Sequence, residues 1–133
     1  MKLNPDCVRD ILLVIEEQSN FEASVDFDCR NLHGLEQNYT YDEVIYHLRQ
    51  CKWSGFFSKS AFDALDGFCV EDLSPKGHEF IENIRKDTVW NGVKSVAGKV
   101  GATSLSALVQ ISSNVVSELI KSYFTLNPYQ PNV

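Results

Sequence analysis

The chain lacks the commonest marks of catalysis and of metal binding. It has no Cys-x-x-Cys pair and no Gly-x-Ser-x-Gly elbow, and its nearest approach to His-Glu-x-x-His, at His78-Glu79, carries Glu82 where the second His belongs. A carboxylate there needs further ligands that the sequence does not mark, so these acids read as an exposed first helical turn. Gly92 to Lys99 is an imperfect phosphate loop, with five residues between its glycines and Val100 in place of the required Ser or Thr. His33, His47 and His78 lie far apart and match no nucleophile pattern. No apolar run approaches the ~20 residues of a membrane span, and there is no internal repeat or low-complexity tract. The expectation is a non-enzymatic protein without cofactor, metal or membrane.

Basic charge is also scarce where it would matter most. The formal net charge is −6, but residues 1–73 hold six Lys/Arg against fourteen Asp/Glu, and residues 74–133 hold six against four. An acidic front half is a poor general match for nucleic-acid phosphate, although a local basic patch suffices for binding. The four cysteines, Cys7, Cys29, Cys51 and Cys69, are widely spread. Cys7 and Cys51 fall on apolar helix faces, where cysteine packs as a small hydrophobe. Met1 leads almost directly into a helix rather than a leader segment, and the expected setting is a reducing cytoplasm.

The local signals are clear. Asn4-Pro5-Asp6 starts a helix with a cap, a first-turn proline and an acid at the positive helix end. Val8, Ile11, Leu12 and Ile15 then repeat at helical spacing, and the helix should end near Ser19-Asn20. Residues 23–29 alternate apolar and polar, which predicts a half-buried strand. Residues 31–39 fit either a loop or one helical turn. Thr40-Tyr41-Asp42-Glu43 is a capping box, and Val44, Ile45, Leu48 and Cys51 form the apolar face of the helix it opens. Gly55 stops that helix, and Phe56-Phe57 begins a strand. A loop over 58–67 leads to a second strand over 68–73, and Ser74-Pro75 caps another helix whose buried face is Phe80, Ile81 and Ile84.

From Thr40 on, helix, Gly stop, strand, loop, strand and capped helix is the order of a winged helix-turn-helix, and residues 31–39 occupy the slot of its second helix. The expected fold is therefore mainly α with a small antiparallel β-wing, an α+β domain over 1–86. Residues 87–133 add two helices, packed on the same core. The first is lined by Val89, Trp90, Val93, Val96, Ala97 and Val100. The second, capped at Thr103-Ser104, runs to about Phe124. It carries more apolar surface than one contact needs, and Leu105, Leu108, Val109, Val115, Val116, Leu119, Ile120 and Tyr123 are the expected homodimer contacts.

Four blocks carry a resemblance that spans nearly the whole chain. They are the opening Met1-Lys2-Leu3-Asn4-Pro5-Asp6-Cys7, then Tyr41-Asp42-Glu43-Val44-Ile45-Tyr46, then Leu73-Ser74-Pro75-Lys76-Gly77-His78, and lastly Asp87-Thr88-Val89-Trp90. Together they resemble a family of short bacterial proteins catalogued as a domain of unknown function, often found in prophages and other mobile elements. The resemblance implies a genomic setting and supplies no catalytic residues.

Binding of a macromolecule is the function these observations leave. The expected surface is Asp42, Glu43, Tyr46, His47, Arg49, Gln50 and Lys52 on the helix after Thr40, with Lys59 and Phe62 on the wing. A protein partner, in the manner of a regulator or inhibitor of a host system, is favoured because Asp42 and Glu43 repel phosphate. DNA read by Tyr46, His47, Arg49, Gln50 and Lys59 is the alternative. A metal-dependent enzyme around His78, Glu79 and Glu82 is a distant third.

Overall fold

The order of elements follows from the capping signals. In the computed structural model, which describes residues 1–63 and 67–126 (for 61–63 the backbone alone), the chain divides into two units, Met1–Glu82 and Asn83–Val133. The protein is mainly helical with a small antiparallel sheet, an α+β fold.

The first unit opens with α1 (Pro5–Gln18). Asn4 caps it by accepting from the Asp6 N–H at 3.1 Å, and Pro5 fills the first turn, where a missing N–H costs nothing. Cys7, Val8, Ile11, Leu12 and Ile15 are buried along one face. Strand β1 is shorter than the alternation over 23–29 predicts: it covers only Val25–Phe27. Asp28 ends it. Its Oδ1 accepts from the N–H groups of Arg30 and Asn31, folding the chain into a turn and leaving Cys29 exposed.

Residues 31–39 hold a single turn of 3₁₀ helix, η1 (Leu35–Gln37), entered through His33 and Gly34, both at positive φ. Helix α2 (Tyr41–Trp53) follows with a complete capping box. Thr40 Oγ1 accepts from the Glu43 N–H, and the Glu43 carboxylate accepts from the Thr40 N–H. Val44, Ile45, Leu48 and Cys51 are buried, and α2 packs on α1.

After Gly55 (φ +80) the chain differs from expectation. Phe56 and Phe57 are core residues rather than strand residues; Phe57 makes only an isolated bridge to Leu73. The strands proper are β2 (Ser60–Asp63) and β3 (Gly67–Val70). Backbone bonds from the Ser58 N–H to the Asp72 carbonyl and from the Glu71 N–H to the Lys59 carbonyl extend their pairing. Sheet order is β1-β3-β2, all antiparallel, with Val25 and Ser60 flanking Val70, and Phe27 and Phe62 flanking Phe68. Gly67 is required at its site. Its φ is +113, and a Cβ there would overlap the Phe27 carbonyl.

Helix α3 (Pro75–Ile84) begins as predicted, with the Gly77 N–H donating to Ser74 Oγ at 3.1 Å. Ser74 also donates its hydroxyl to the Gly55 carbonyl, tying the start of α3 to the end of α2. Phe80 stacks on Phe56 with ring centroids 5.3 Å apart. That approach brings Gly77 against the Phe56 backbone, where any side chain would collide.

The second unit is a helical hairpin of α4 (Asp87–Val100) and α5 (Leu105–Leu126). Gly101, at φ +69, turns the chain after α4, and Ser104 caps α5 through the Ala107 N–H. Trp90, Val93 and Ala97 are buried as predicted, but Val96 and Val100 are exposed. On α5, Leu105, Leu108 and Ser112 are buried. Ser112 satisfies its hydroxyl by donating to the Val109 carbonyl at 2.7 Å. The expected ends at Asn127 and the tail beyond lie outside the described residues.

Candidate functional site

Helix α2 sets the candidate surface because its two faces are sharply different. The capping box fixes its start, and the row Val44, Leu48 and Cys51 fixes which side turns inward. Asp42, Tyr46, Arg49, Gln50 and Trp53 then fall on the opposite side, at spacings of four, seven, eight and eleven residues from Asp42. Asp42 and Arg49 are exposed, while Tyr46 and Gln50 are partly covered. Lys52 is exposed but lies about 100° around the helix from Trp53, off this stripe.

Trp53 is the residue that sequence reasoning missed. Its side chain is 71% exposed, at the C-terminal end of the stripe. The signal was present, since Trp53 follows Tyr46 by seven residues and Gln50 by three. Tyr41, at the other end of α2, is also exposed.

His47 corrects the predicted surface. It is 1% exposed and belongs to the interior. Its Nε2 accepts from the Asn4 backbone N–H at 2.8 Å, and its Nδ1 lies 2.7 Å from the Glu43 carbonyl, to which it donates. Those partners fix the neutral Nδ1–H tautomer. Burial pushes its pKa below the usual 6.5; the bond to the Glu43 carbonyl and the Glu43 charge oppose that shift without cancelling it. Tyr46 packs edge-on against the His47 ring at 4.9 Å, so the buried histidine positions one member of the outer stripe. Glu43 is likewise committed to the cap rather than free on the surface.

Lys59 is exposed and lines a shallow depression on the sheet with Ser24, Ser60, Cys69 and Glu71. The Phe62 side chain lies outside the described residues, as do residues 64–66 of the loop. Of the expected dimer contacts, Leu105 and Leu108 are buried inside the hairpin and so are unavailable to a second copy. Val109, Val115 and Val116 are partly covered, and Leu119, Ile120 and Tyr123 are exposed.

The three histidines do not converge: His33 Nε2 lies 2.6 Å from the Asp26 carbonyl, His47 is internal, and His78 Nε2 lies 3.6 Å from Asp72 Oδ1. No group of three or more His, Cys, Asp or Glu is set to hold a metal ion among the described residues. The buried thiols are poor nucleophiles. Desolvation, aided by the Glu43 and Asp10 charges, pushes Cys7 up to about 12, and burial raises Cys51 as well. Tyr39 donates to Asp10 Oδ2 at 2.7 Å, and burial together with that bond raises its pKa.

Comparison with known proteins agrees with the resemblance in the sequence. The family model described as hypothetical protein (DUF2513) matches residues 2–103, the span from α1 through α4. An uncharacterized protein of Haemophilus influenzae is 30% identical over 123 residues, which cover 90% of this chain and 99% of that one. No solved structure matches the chain. Among the described residues, no helix is long and apolar enough to cross a membrane.

Proposed function

The chain belongs to the hypothetical-protein family DUF2513, and on that premise we propose that it is a non-enzymatic binding protein that docks a protein partner through the outer face of α2. The role that fits such docking is that of a regulator or inhibitor of a host system, encoded by a bacterial chromosome or a mobile element and acting in the reducing cytoplasm. Four free cysteines are compatible with that compartment.

The observation that carries this reading is Trp53. An indole left 71% exposed beside Gln50, Arg49 and Tyr46 loses the apolar burial that tryptophan normally gains. Tryptophan, tyrosine and arginine are the side chains most enriched where protein interfaces concentrate their binding energy. Charge points the same way. Residues 1–82 hold seven Lys/Arg and sixteen Asp/Glu, a formal −9. That field repels nucleic-acid phosphate and steers a basic protein surface inward.

DNA binding is the second reading, and one observation favours it. The element order α1-β1-η1-α2-β2-β3 and the sheet order β1-β3-β2 are compatible with a winged helix, in which α2 would be the recognition helix and β2–β3 the wing. Two features weigh against it. The slot of the preceding helix holds only three 3₁₀ residues, and Asp42 and Glu43 occupy the first turn of α2, where a recognition helix meets the phosphate backbone.

Affinity capture from a bacterial lysate, with and without nuclease, separates the two. A defined protein retained after nuclease treatment supports protein docking. Material lost with nuclease, enriched at discrete DNA loci, weakened by salt and abolished by Arg49→Ala, supports the DNA reading instead.

A further inference from the structure

The apolar stripe of α5 outruns its cover. Helix α4 has 14 residues and α5 has 22, so an antiparallel hairpin leaves about eight residues, or about 12 Å, of α5 beyond the end of α4. The stripe that buries Leu105, Leu108 and Ser112 continues along that overhang as Leu119, Tyr123 and Leu126. Those side chains are 51%, 61% and 79% exposed, and Ile120 and Phe124 beside them are about half exposed.

We propose that this overhang is the docking surface for a second copy of the chain, the two α5 ends pairing about a two-fold axis near Tyr123. Three observations select that occupant. First, the spacing is that of a helix seam. Beyond the residues buried in the hairpin, Val116, Leu119, Tyr123 and Leu126 follow in steps of three, four and three, the repeat that packs one helix along another. Second, the area suits a dimer. The exposed side chains of the overhang, with the adjoining groove of about 350 Å³ whose apolar wall of Val96, Ile111, Val115 and Leu119 is edged by Asn114, Glu118 and Ser122, offer on the order of 600 Å² per copy, somewhat under the ~800 Å² that each partner gives to a standard interface. Third, the face carries no unbalanced charge: Glu118, which lines the groove, pairs with Lys121 at 3.4 Å. In a chain of net charge −6, a face whose charges balance each other is where two copies approach with least repulsion. A two-fold contact is self-complementary, so one such patch per chain is enough to close the assembly.

The test is the mass of the full-length chain in solution by light scattering and sedimentation equilibrium, with Leu119→Glu and Tyr123→Glu alongside. The expected result is a dimer whose dissociation constant rises at least tenfold in each variant while the helical circular dichroism is unchanged. A monomer at every concentration, or a dimer that survives both substitutions, overturns the proposal. So does a monomer that sediments with phospholipid vesicles, which would assign the face to a lipid surface. Cross-linking supplies the second readout. Under mild oxidation Tyr123→Cys should form a covalent dimer far faster than Lys121→Cys, which points away from the seam; equal rates overturn the two-fold pairing.

Discussion

The backbone N–H of Asn4 donates to Nε2 of His47 at 2.8 Å, across 43 residues of sequence. This bond joins the cap of α1 to the middle of α2. Asn4 thus serves two helices: its side chain satisfies an orphan N–H at the start of α1, and its backbone satisfies the buried imidazole. The bond exists only while Nε2 is unprotonated, because an imidazolium has no acceptor to offer.

A pH dependence follows. The native pKa of His47 is lowered, so the unfolded chain takes up a proton first as the pH falls. The contribution of the neutral ring is fully present above the ordinary value of 6.5 and is lost as the pH drops through that value toward the native one. Unfolding free energies from urea titrations between pH 7.5 and 5, in ~0.5-unit steps, should fall through this group with a slope bounded by one proton, about 1.4 kcal/mol per pH unit. His47→Gln should be less stable at pH 7 and should flatten this part of the profile.

Two glycines should respond oppositely to the same substitution. A Cβ at Gly77 would enter the Phe56 carbonyl, so Gly77→Ala must push α3 off the Phe56–Phe80 stack and should cost roughly 1–3 kcal/mol. Gly92 lies within α4 with open space around its missing Cβ. Gly92→Ala should stabilise the protein by roughly 0.5–1 kcal/mol. Thermal melts of the two variants check both signs.

Thiol reactivity should sort by burial. Cys29 is exposed, whereas Cys7 and Cys51 are buried with raised pKa values. A thiol reagent at pH 8 should modify Cys29 quickly in the native protein and should reach Cys7 and Cys51 only as fast as the chain unfolds. Peptide mapping after timed labelling identifies each site.

What was legible in the sequence was local. Asn4-Pro5, Thr40 with Glu43, and Ser74-Pro75 each encode a helix start within four residues, and all three starts are where the spacing put them. The inward faces of α1 and α2 were equally plain. Strand limits were not, because a turn made by Asp28 and a bridge from Phe57 to Leu73 set them through hydrogen bonds that periodicity does not record. His47 sits at the border of the α2 core face, and its burial depends on a partner 43 residues away. The same limit applies to the end of α5. Its spacing is that of a covered face, and the unequal lengths of the two helices leave it bare.

The central claim, that the outer face of α2 docks a protein, is tested most directly by repeating the nuclease-treated capture with Trp53→Ala and Asp42→Lys beside the wild type. Both residues are exposed and neither supports the core, so melting temperatures should stay within a few degrees of wild type. The account predicts that the retained protein falls at least tenfold with Trp53→Ala and clearly with Asp42→Lys. Undiminished capture by both variants, with the partner still held after nuclease, would contradict it.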